Sequence, residues 1–257
     1  MVGTVGADSY GAQLRNNLSA HGVDVSGVDV RDGLKTGIAL IVVDKPSGEN
    51  RIILSPEANH ALHAKDFKTG GLTQKLGKVD LLIMQLEIPL ETVLAALAAA
   101  RKEGVSVLLN PAPAQRLLDA AYDGLAHLVV NETEAAMLGG VDVSVLDTSS
   151  GCESVARWFV EKGVRNVIIT LGGRGVYFMN GGSSGKRGLV PAEKAKVVDT
   201  TAAGDTFVGQ YALDVVVDGE AFDIEAAVRK ANKAAAKTVE RVGAQDSIPW
   251  RDELVGL

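Results

Sequence analysis

The stretch Asp199-Thr-Thr-Ala-Ala-Gly-Asp-Thr-Phe207 decides how the rest of this chain is interpreted. The apolar and basic run at 195–198 predicts the end of a strand, and the apolar run at 208–217 predicts a buried helix. A strand, a turn of small residues and a helix start form an anion site, because the unpaired N–H groups and the helix dipole favour negative charge there. Small side chains let a phosphate approach that backbone closely.

Asp205 lies in the same turn, where its negative charge would repel a phosphate group. An aspartate at this position therefore suits a different task, that of a base taking a proton from a hydroxyl that attacks phosphorus. The residues alone leave a second interpretation open, an aspartate that caps a helix after a glycine turn.

The same nine residues resemble the signature of the ribokinase-like sugar kinases. The resemblance implies that Asp205 is the catalytic base and that Ala202, Ala203 and Gly204 form the anion hole for the transferred phosphoryl group. Many members of that family carry glycine where this chain has Ala202. Alanine fits the turn if its φ stays negative, so we do not count it against activity.

The composition limits the class of protein. The chain has 257 residues, 46% of them hydrophobic and 23% charged, as in an ordinary globular protein. A formal net charge of −6 argues against a general nucleic-acid or anionic-membrane binder. Cys152 is the single cysteine of the sequence, which excludes an intrachain disulfide and a cysteine-based zinc cluster. No stretch approaches the ~20 apolar residues of a membrane span, and we identify no signal peptide, so we expect a cytoplasmic protein.

Apolar strand-like segments alternate with helical ones in the second half of the chain, at 79–84, 105–109, 127–130 and 167–170. This alternation predicts an α/β fold with a doubly wound, mostly parallel sheet. Polar and glycine residues follow each strand, where ligands bind in such sheets. Residues 177–188 predict an exposed hairpin, and 224–241 predict a long helix.

A projecting hairpin is predicted nearer the N-terminus, where strands at 36–44 and 51–54 flank a turn at 45–50. The resemblance makes 34–56 the remaining part of a small β lid over the sugar, within a single domain 1–257, and implies a possible homodimer through the lid. Residues 1–11 resemble a segment that lies inside the chains of family members, after their first elements. We therefore expect the chain to be shortened at its N-terminus relative to the family, without the opening strand, part of the lid and a sugar-binding loop.

Glu87 follows the strand at 79–84 and resembles the family glutamate that binds sugar hydroxyls. A carboxylate can accept hydrogen bonds from two hydroxyls at once, which suits a polyol. The alternative is a solvated charge after a strand.

The resemblance also assigns residues to ATP. Asn131 and Glu134 match the family's Asn-x-x-Glu pattern, which implies a site for hydrated Mg²⁺ and phosphate oxygens, while their spacing fits a capping box equally well. Thr170, Gly172, Gly173 and Gly175, together with Gly204, are the positions that would line the ATP phosphates and ribose. Asn232 would contact adenine, or else fill a tight packing point in its helix.

A monovalent cation site, usually for K⁺, is the last assignment that the resemblance implies. Its ligands, mostly backbone carbonyls, would come from Asp199, Thr201, Thr238, Arg241, Gly243 and Ser247.

Together these features imply a kinase that uses ATP, Mg²⁺ and K⁺ to convert D-ribose into D-ribose 5-phosphate. Two alternatives stay open: another sugar or nucleoside kinase of the same family, and a non-catalytic remnant that binds nucleotide. An NAD-dependent dehydrogenase is disfavoured because the sequence lacks a dinucleotide-binding fingerprint.

Overall fold

The computed structural model describes residues 1–44, 50–65, 77–182 and 185–254. Over these ranges the strands are β1 (Val2–Gly6), β2 (Gly27–Arg31), β3 (Ile38–Val43), β4 (Asn50–Ser55), β5 (Leu81–Met84), β6 (Ser106–Leu109), β7 (His127–Asn131), β8 (Asn166–Thr170), β9 (Val176–Asn180) and β10 (Arg187–Val190). The α-helices are α1 (Ser9–Ala20), α2 (Leu90–Glu103), α3 (Glu132–Gly139), α4 (Ser149–Glu161), α5 (Ala203–Asp218) and α6 (Ile224–Thr238). None of the helices in these ranges combines the length and the hydrophobicity that a membrane span needs.

Within the described ranges, six strands form the central sheet in the order β10-β9-β8-β7-β6-β5. β5 to β8 run parallel, and β9 is antiparallel to both β8 and β10. Successive side chains enter apolar clusters on opposite faces: Val130 and Ile169 pack with α2, α3 and α4, whereas Val129 and Ile168 pack with α5 and α6. Helices on both faces of a mostly parallel sheet confirm the predicted doubly wound α/β fold.

The N-terminal part forms two further sheets of two strands each, β1 with β2 in parallel and β3 with β4 antiparallel. Asp8 connects them. Its Oδ1 accepts hydrogen bonds from Gly11 N at the start of α1 (2.8 Å) and from Thr36 Oγ1 (2.6 Å), and its Oδ2 accepts one from Thr36 N (2.8 Å). The Asp8 carboxylate thereby fixes the base of the β3–β4 hairpin, which lies inside the range 34–56, to the first turn of α1.

The predicted strand end at 195–198 is wrong. The N–H groups of Val198 and Asp199 both donate to the carbonyl oxygen of Val239, just after α6, at 2.8 and 3.2 Å. The end of a helix, instead of a neighbouring strand, therefore satisfies this backbone. Two helix boundaries also differ from the prediction, because α5 begins at Ala203 and α6 ends at Thr238.

The hairpin predicted at 177–188 is correct in its pairing, since β9 and β10 are antiparallel. The prediction that it is exposed is wrong for β9. Residues 176–179 are buried because β9 lies between β8 and β10 and contributes to both apolar clusters. Residues 183–184 at its tip, and 45–49 of the other predicted turn, lie outside the described residues.

Candidate active site

The turn before α5 has an unexpected backbone conformation. Ala202, the N-cap residue, has φ of 62° and ψ of 5°, in the left-handed region. Our condition for an alanine at this position, a negative φ, is therefore not met. A left-handed conformation costs a residue with a Cβ about 1–2 kcal/mol, so glycine suits this position better than alanine.

The first turn of α5 is open at its N-terminus. Ala202 makes no side-chain capping hydrogen bond, and Gly204 and Asp205 are exposed. A Cβ atom built on Gly204 meets nothing within 4 Å, so the packing of the chain does not require glycine there. Ala203 N donates to the carbonyl oxygen of Thr200 at 3.4 Å, but no side chain caps the turn. The free space beside Gly204 leaves room for an anion at the helix start, and anion binding here stays a prediction.

Glu87 and Asp205 come together from different parts of the chain, since Glu87 follows β5 and Asp205 lies on α5. Solvent reaches the Glu87 side chain, but the surrounding protein desolvates its carboxylate. This desolvation, and after it the negative charge of Asp205, raises the pKa of Glu87 above its ordinary value. The structure thus holds two interacting carboxylates beside an anion site.

A cavity of about 490 Å³ adjoins the start of α5. Its volume is in the range of small-molecule sites. Its walls include many of the predicted residues, namely Thr170, Gly172, Gly173, Gly175, Ala203, Gly204 and Asn232. Its other walls are largely apolar, with Val197, Phe207 and Val239 among them, but also include the charged residues Glu193 and Lys194. The cavity therefore connects the Gly172–Gly175 turn to the anion turn.

The glycines of the Gly172–Gly175 turn have different reasons to be glycine. Gly175 has φ of 103°, and a Cβ there would lie 2.0 Å from the carbonyl oxygen of Val190, so packing against the end of β10 excludes a side chain. Gly172 has φ of 53°, a conformation that favours glycine whatever the surrounding space. Cβ atoms built on Gly172 and Gly173 meet nothing within 4 Å. These two residues keep the cavity wall open, as a close-approaching ligand requires.

Asn131 and Glu134 form the capping box that their spacing allows. Glu134 N donates to Asn131 Oδ1, and Asn131 N donates to Glu134 Oε2, both at 2.8 Å. Burial raises the pKa of Glu134, and the hydrogen bond from Asn131 N partly opposes this. The two residues do not line the 490 Å³ cavity, but Asn131 pairs with Thr170 across β7 and β8. They therefore lie beside its glycine turn, and their role toward Mg²⁺ stays a prediction.

Asn232 combines both of its interpretations. Its Nδ2 donates to the carbonyl oxygen of Pro191 at 2.8 Å, which holds the segment after β10 against α6. The residue is 8% exposed and also lines the cavity. A packing role is thus present, and contact with a ligand stays a prediction.

Asp199 is a buried carboxylate, 2% exposed, that is held by backbone donors. Its Oδ1 accepts from Thr201 N at 2.9 Å, and its Oδ2 accepts from Gly243 N at 3.0 Å. Burial would raise the pKa of Asp199, but the hydrogen bonds from Gly243 and Thr201 together hold the pKa below its ordinary value. No ion pair joins Asp199 to a basic side chain in the described ranges.

The other residues predicted for the cation site differ in their burial and in their hydrogen-bond partners. Thr238 and Ser247 are fully buried. Thr238 Oγ1 donates to Thr206 Oγ1 at 2.9 Å, which ties α6 to α5. The guanidinium of Arg241 forms an ion pair with Glu253, in which Nη1 donates to Oε2 at 3.3 Å, and it thereby holds the C-terminal segment.

Sequence reasoning missed a contact beside the glycine turn. Arg174 forms an ion pair with Glu132, the first residue of α3, and its Nη1 donates to the carbonyl oxygen of Leu146 at 2.7 Å. The partners are 42 positions apart, so no local spacing reveals them. An arginine inside a glycine turn was the available signal.

The sequence and the fold are similar to those of known proteins. Residues 1–251 match the model of the pfkB family carbohydrate kinases. The chain is 42% identical over 260 residues to a ribokinase of Schizosaccharomyces pombe, covering 100% of this chain and 78% of that protein. It is 37% identical over 250 residues to a deoxyribokinase of Salmonella typhimurium, covering 97% and 78%. The fold superposes with a TM-score of 0.83 on Arabidopsis thaliana ribokinase complexed with ribose and ATP, at 27% identity and covering 99% and 80%.

Proposed function

This chain belongs to the pfkB family of carbohydrate kinases, and we propose from this premise that it is a ribokinase, which transfers the γ-phosphoryl group of ATP to D-ribose. The proposal depends above all on the pair Glu87 and Asp205 beside the uncapped start of α5. The ribokinase relative and the ribokinase structure with ribose and ATP support the choice of substrates.

In the proposed reaction Asp205 removes the proton from the primary hydroxyl of the sugar. The hydroxyl oxygen forms a bond to the γ-phosphorus, the bond from this phosphorus to the β–γ bridging oxygen breaks, and ADP leaves with that electron pair. Backbone N–H groups of the turn Ala202, Ala203 and Gly204 stabilise the charge of the transferring group. Glu87 accepts hydrogen bonds from the sugar hydroxyls and orients the sugar toward Asp205.

ATP occupies the 490 Å³ cavity in this proposal. Its phosphates lie along the turn of Thr170, Gly172, Gly173 and Gly175 and end at Gly204, and its adenine lies near Asn232. The open sides of Gly172, Gly173 and Gly204 support this orientation, because they leave the backbone accessible to phosphate oxygens.

Asn131 and Glu134 offer oxygen donors for Mg²⁺ at the edge of this cavity. The described residues contain no group of three acidic, histidine or cysteine side chains that could hold a metal. The two side chains of Asn131 and Glu134 therefore fit a hydrated Mg²⁺ ion that is bound mainly by the phosphates of the substrate. When bound, Mg²⁺ would reduce the negative charge of the ATP phosphates.

K⁺ is proposed beside Asp199. Among the described residues, the buried carboxylate of Asp199 has backbone donors but no basic side chain as partner, and a buried charge without such a partner is costly. A monovalent cation held by that charge and by carbonyl oxygens of Thr201, Thr238, Arg241, Gly243 and Ser247 would offset it next to the anion turn.

The β3–β4 hairpin is proposed as the lid over the sugar and as a homodimer interface. Leu40, Val42 and Ile53 are 60%, 56% and 65% exposed. An apolar surface of this kind in a hairpin is typical of an interaction site. We propose a cytoplasmic location, where ATP is available.

A deoxyribose kinase is the second candidate, because the deoxyribokinase relative is 37% identical. The two substrates differ by the 2-hydroxyl, a group that a buried polar site can distinguish strongly.

The test is a coupled ADP-release assay with ATP, Mg²⁺ and K⁺, in which D-ribose and 2-deoxyribose are compared. We expect turnover with ribose, and a loss of kcat of about 10²–10⁴ in Asp205→Asn with ATP affinity retained. Preference for deoxyribose would establish the second candidate. ATP binding without turnover on either sugar would instead indicate a nucleotide-binding remnant.

A further inference from the structure

Arg174 is placed between the nucleotide turn and two other segments. The three glycines around it, Gly172, Gly173 and Gly175, line the cavity, whereas Arg174 does not. Its guanidinium contacts the carboxylate of Glu132 and the carbonyl oxygen of Leu146, the latter at 2.7 Å, and it lies 3.6 Å from the Asp147 carboxylate. One side chain thus links the turn after β8 to the start of α3 and to the segment before α4.

The contact between Arg174 and α3 is made at the start of that helix, beside its N-cap residue. Glu132 directly follows Asn131, whose side chain caps α3, and Asn131 pairs with Thr170 at the end of β8. The Arg174–Glu132 ion pair therefore adds a side-chain connection beside a backbone one, and together they hold the turn against the helix start. Planar guanidinium groups suit such multiple contacts better than lysine does.

Charge gives the same contact a second consequence. Glu132 is an acidic group in the first turn of α3, close to where the nucleotide phosphates would lie. Arg174 neutralises it. Without Arg174, the unpaired carboxylate would repel ATP and the glycine turn would lose its side-chain anchor.

We propose that Arg174 is a positioning residue for the nucleotide: by contacting Glu132 and Leu146 it holds the Gly172–Gly175 turn in the conformation that accepts the ATP phosphates. The proposal rests on the proposed function, because it takes ATP as the nucleotide. The ion pair is about 40% exposed on both sides, and such pairs add little to global stability. Loss of Arg174 should therefore act on the nucleotide site and not on the fold.

The experiment compares Arg174→Met with the matched control Arg157→Met. Arg157 forms an ion pair with Glu153 on α4 at 2.6 Å, and neither residue lines the cavity. For Arg174→Met we expect the Kd and KM for ATP to rise about 5- to 20-fold, which is the effect of losing one charge-assisted contact. The KM for ribose should stay within twofold, kcat at saturating ATP should fall less than threefold, and Tm should match that of the control.

Two further variants separate anchoring from charge. Arg174→Lys should recover part of the ATP affinity, because it keeps the charge but cannot contact Glu132 and Leu146 together. Glu132→Gln should weaken ATP binding less than Arg174→Met does, because it removes the repelling carboxylate along with the anchor.

An ATP affinity of Arg174→Met within twofold of wild type would overturn the proposal. A parallel rise in the KM for ribose with a lowered Tm would also overturn it, because it would indicate general destabilisation. If wild type binds ATP without turnover, the proposed function fails while the Kd values still decide the role of Arg174. If wild type does not bind ATP at all, both proposals are wrong.

Discussion

The carboxylates of Glu87, after β5, and Asp205, in the first turn of α5, interact through their charges. Desolvation contributes more than this repulsion to the raised pKa of Glu87. A kinase with these residues in the proposed roles needs both ionised, Asp205 to accept a proton and Glu87 to accept hydrogen bonds from the sugar. The repulsion keeps Glu87 easier to protonate than an isolated glutamate.

Ribose affinity is therefore expected to fall in acid. Because the pKa of Glu87 is raised, its carboxylate is lost as the pH decreases through a value above the ordinary ~4.3. In Asp205→Asn the repelling charge is absent, so the pKa of Glu87 should decrease and the loss of ribose affinity in acid should occur at lower pH. Calorimetric titration of both proteins with ribose across this range measures the shift. In Glu87→Gln, ribose affinity should not show this fall in acid. If ribose affinity falls at the same pH in wild type and in Asp205→Asn, the prediction is wrong.

Replacement of Ala202 by glycine should stabilise the protein. Ala202 has φ of 62°, which strains a residue with a Cβ, whereas glycine adopts it freely. We expect a gain of about 0.5–1 kcal/mol in the free energy of unfolding, after the greater chain entropy of glycine is subtracted from the relieved strain. The control is Ala203→Gly, at the first helical residue of α5, which should lose stability. Urea denaturation measures both, and a loss in both variants would show that the strain at Ala202 is negligible.

His127 should make the protein sensitive to acid. Burial, and after it the positive charge of Arg165, lowers the pKa of His127 to about 4 in the folded protein. Its Nδ1 lies 2.9 Å from the Tyr211 hydroxyl. The unfolded chain has a histidine pKa of about 6.5, so between these values the unfolded state binds the additional proton.

The resulting stability is present above about pH 6.5 and decreases toward pH 4, by about 1.4 kcal/mol for each pH unit. The free energy of unfolding should fall by roughly 2 kcal/mol between pH 6.5 and pH 5 from this group alone. Urea titrations of wild type and His127→Gln isolate the effect, because the variant should show a flatter pH dependence. Equal slopes would mean that His127 is already charged in the fold.

The sequence predicted those parts of the molecule that depend on residue type and local order. Apolar segments such as 128–130 lie in buried parallel strands. A helix starts in the stretch 199–207 as expected, although α5 begins at Ala203, earlier than predicted. The positive φ of Ala202 was not predictable, because alanine in itself favours a negative φ. The 195–198 run was mistaken for a strand, because a hydrophobic pattern does not reveal that the N–H of Val198 donates to Val239.

Contacts between distant positions were equally hidden. Arg174 is noticeable in sequence as an arginine inside a glycine turn, but its partner Glu132 is not, and the parallel pairing of β7 and β8 brings their segments together. The same holds for Asp8 and Thr36, whose hydrogen bonds of 2.6 and 2.8 Å join α1 to the base of the β3–β4 hairpin.

Replacement of Asp199 by asparagine should abolish activation by K⁺. Both Asp199 oxygens accept backbone N–H groups, from Thr201 and Gly243. An asparagine would lose the charge that holds the cation and would place its NH₂ against one of these donors. We expect wild-type kcat to rise several-fold when KCl replaces choline chloride, and the variant to show no such response.

The matched control is Asp246→Asn, a change at an exposed residue of the neighbouring segment, and this control should keep the response to K⁺. Because one buried donor loses its partner, the variant should also be about 1–3 kcal/mol less stable, so its fold is checked by urea denaturation before the assay. A folded Asp199→Asn protein with the wild-type response to K⁺ would place the cation elsewhere.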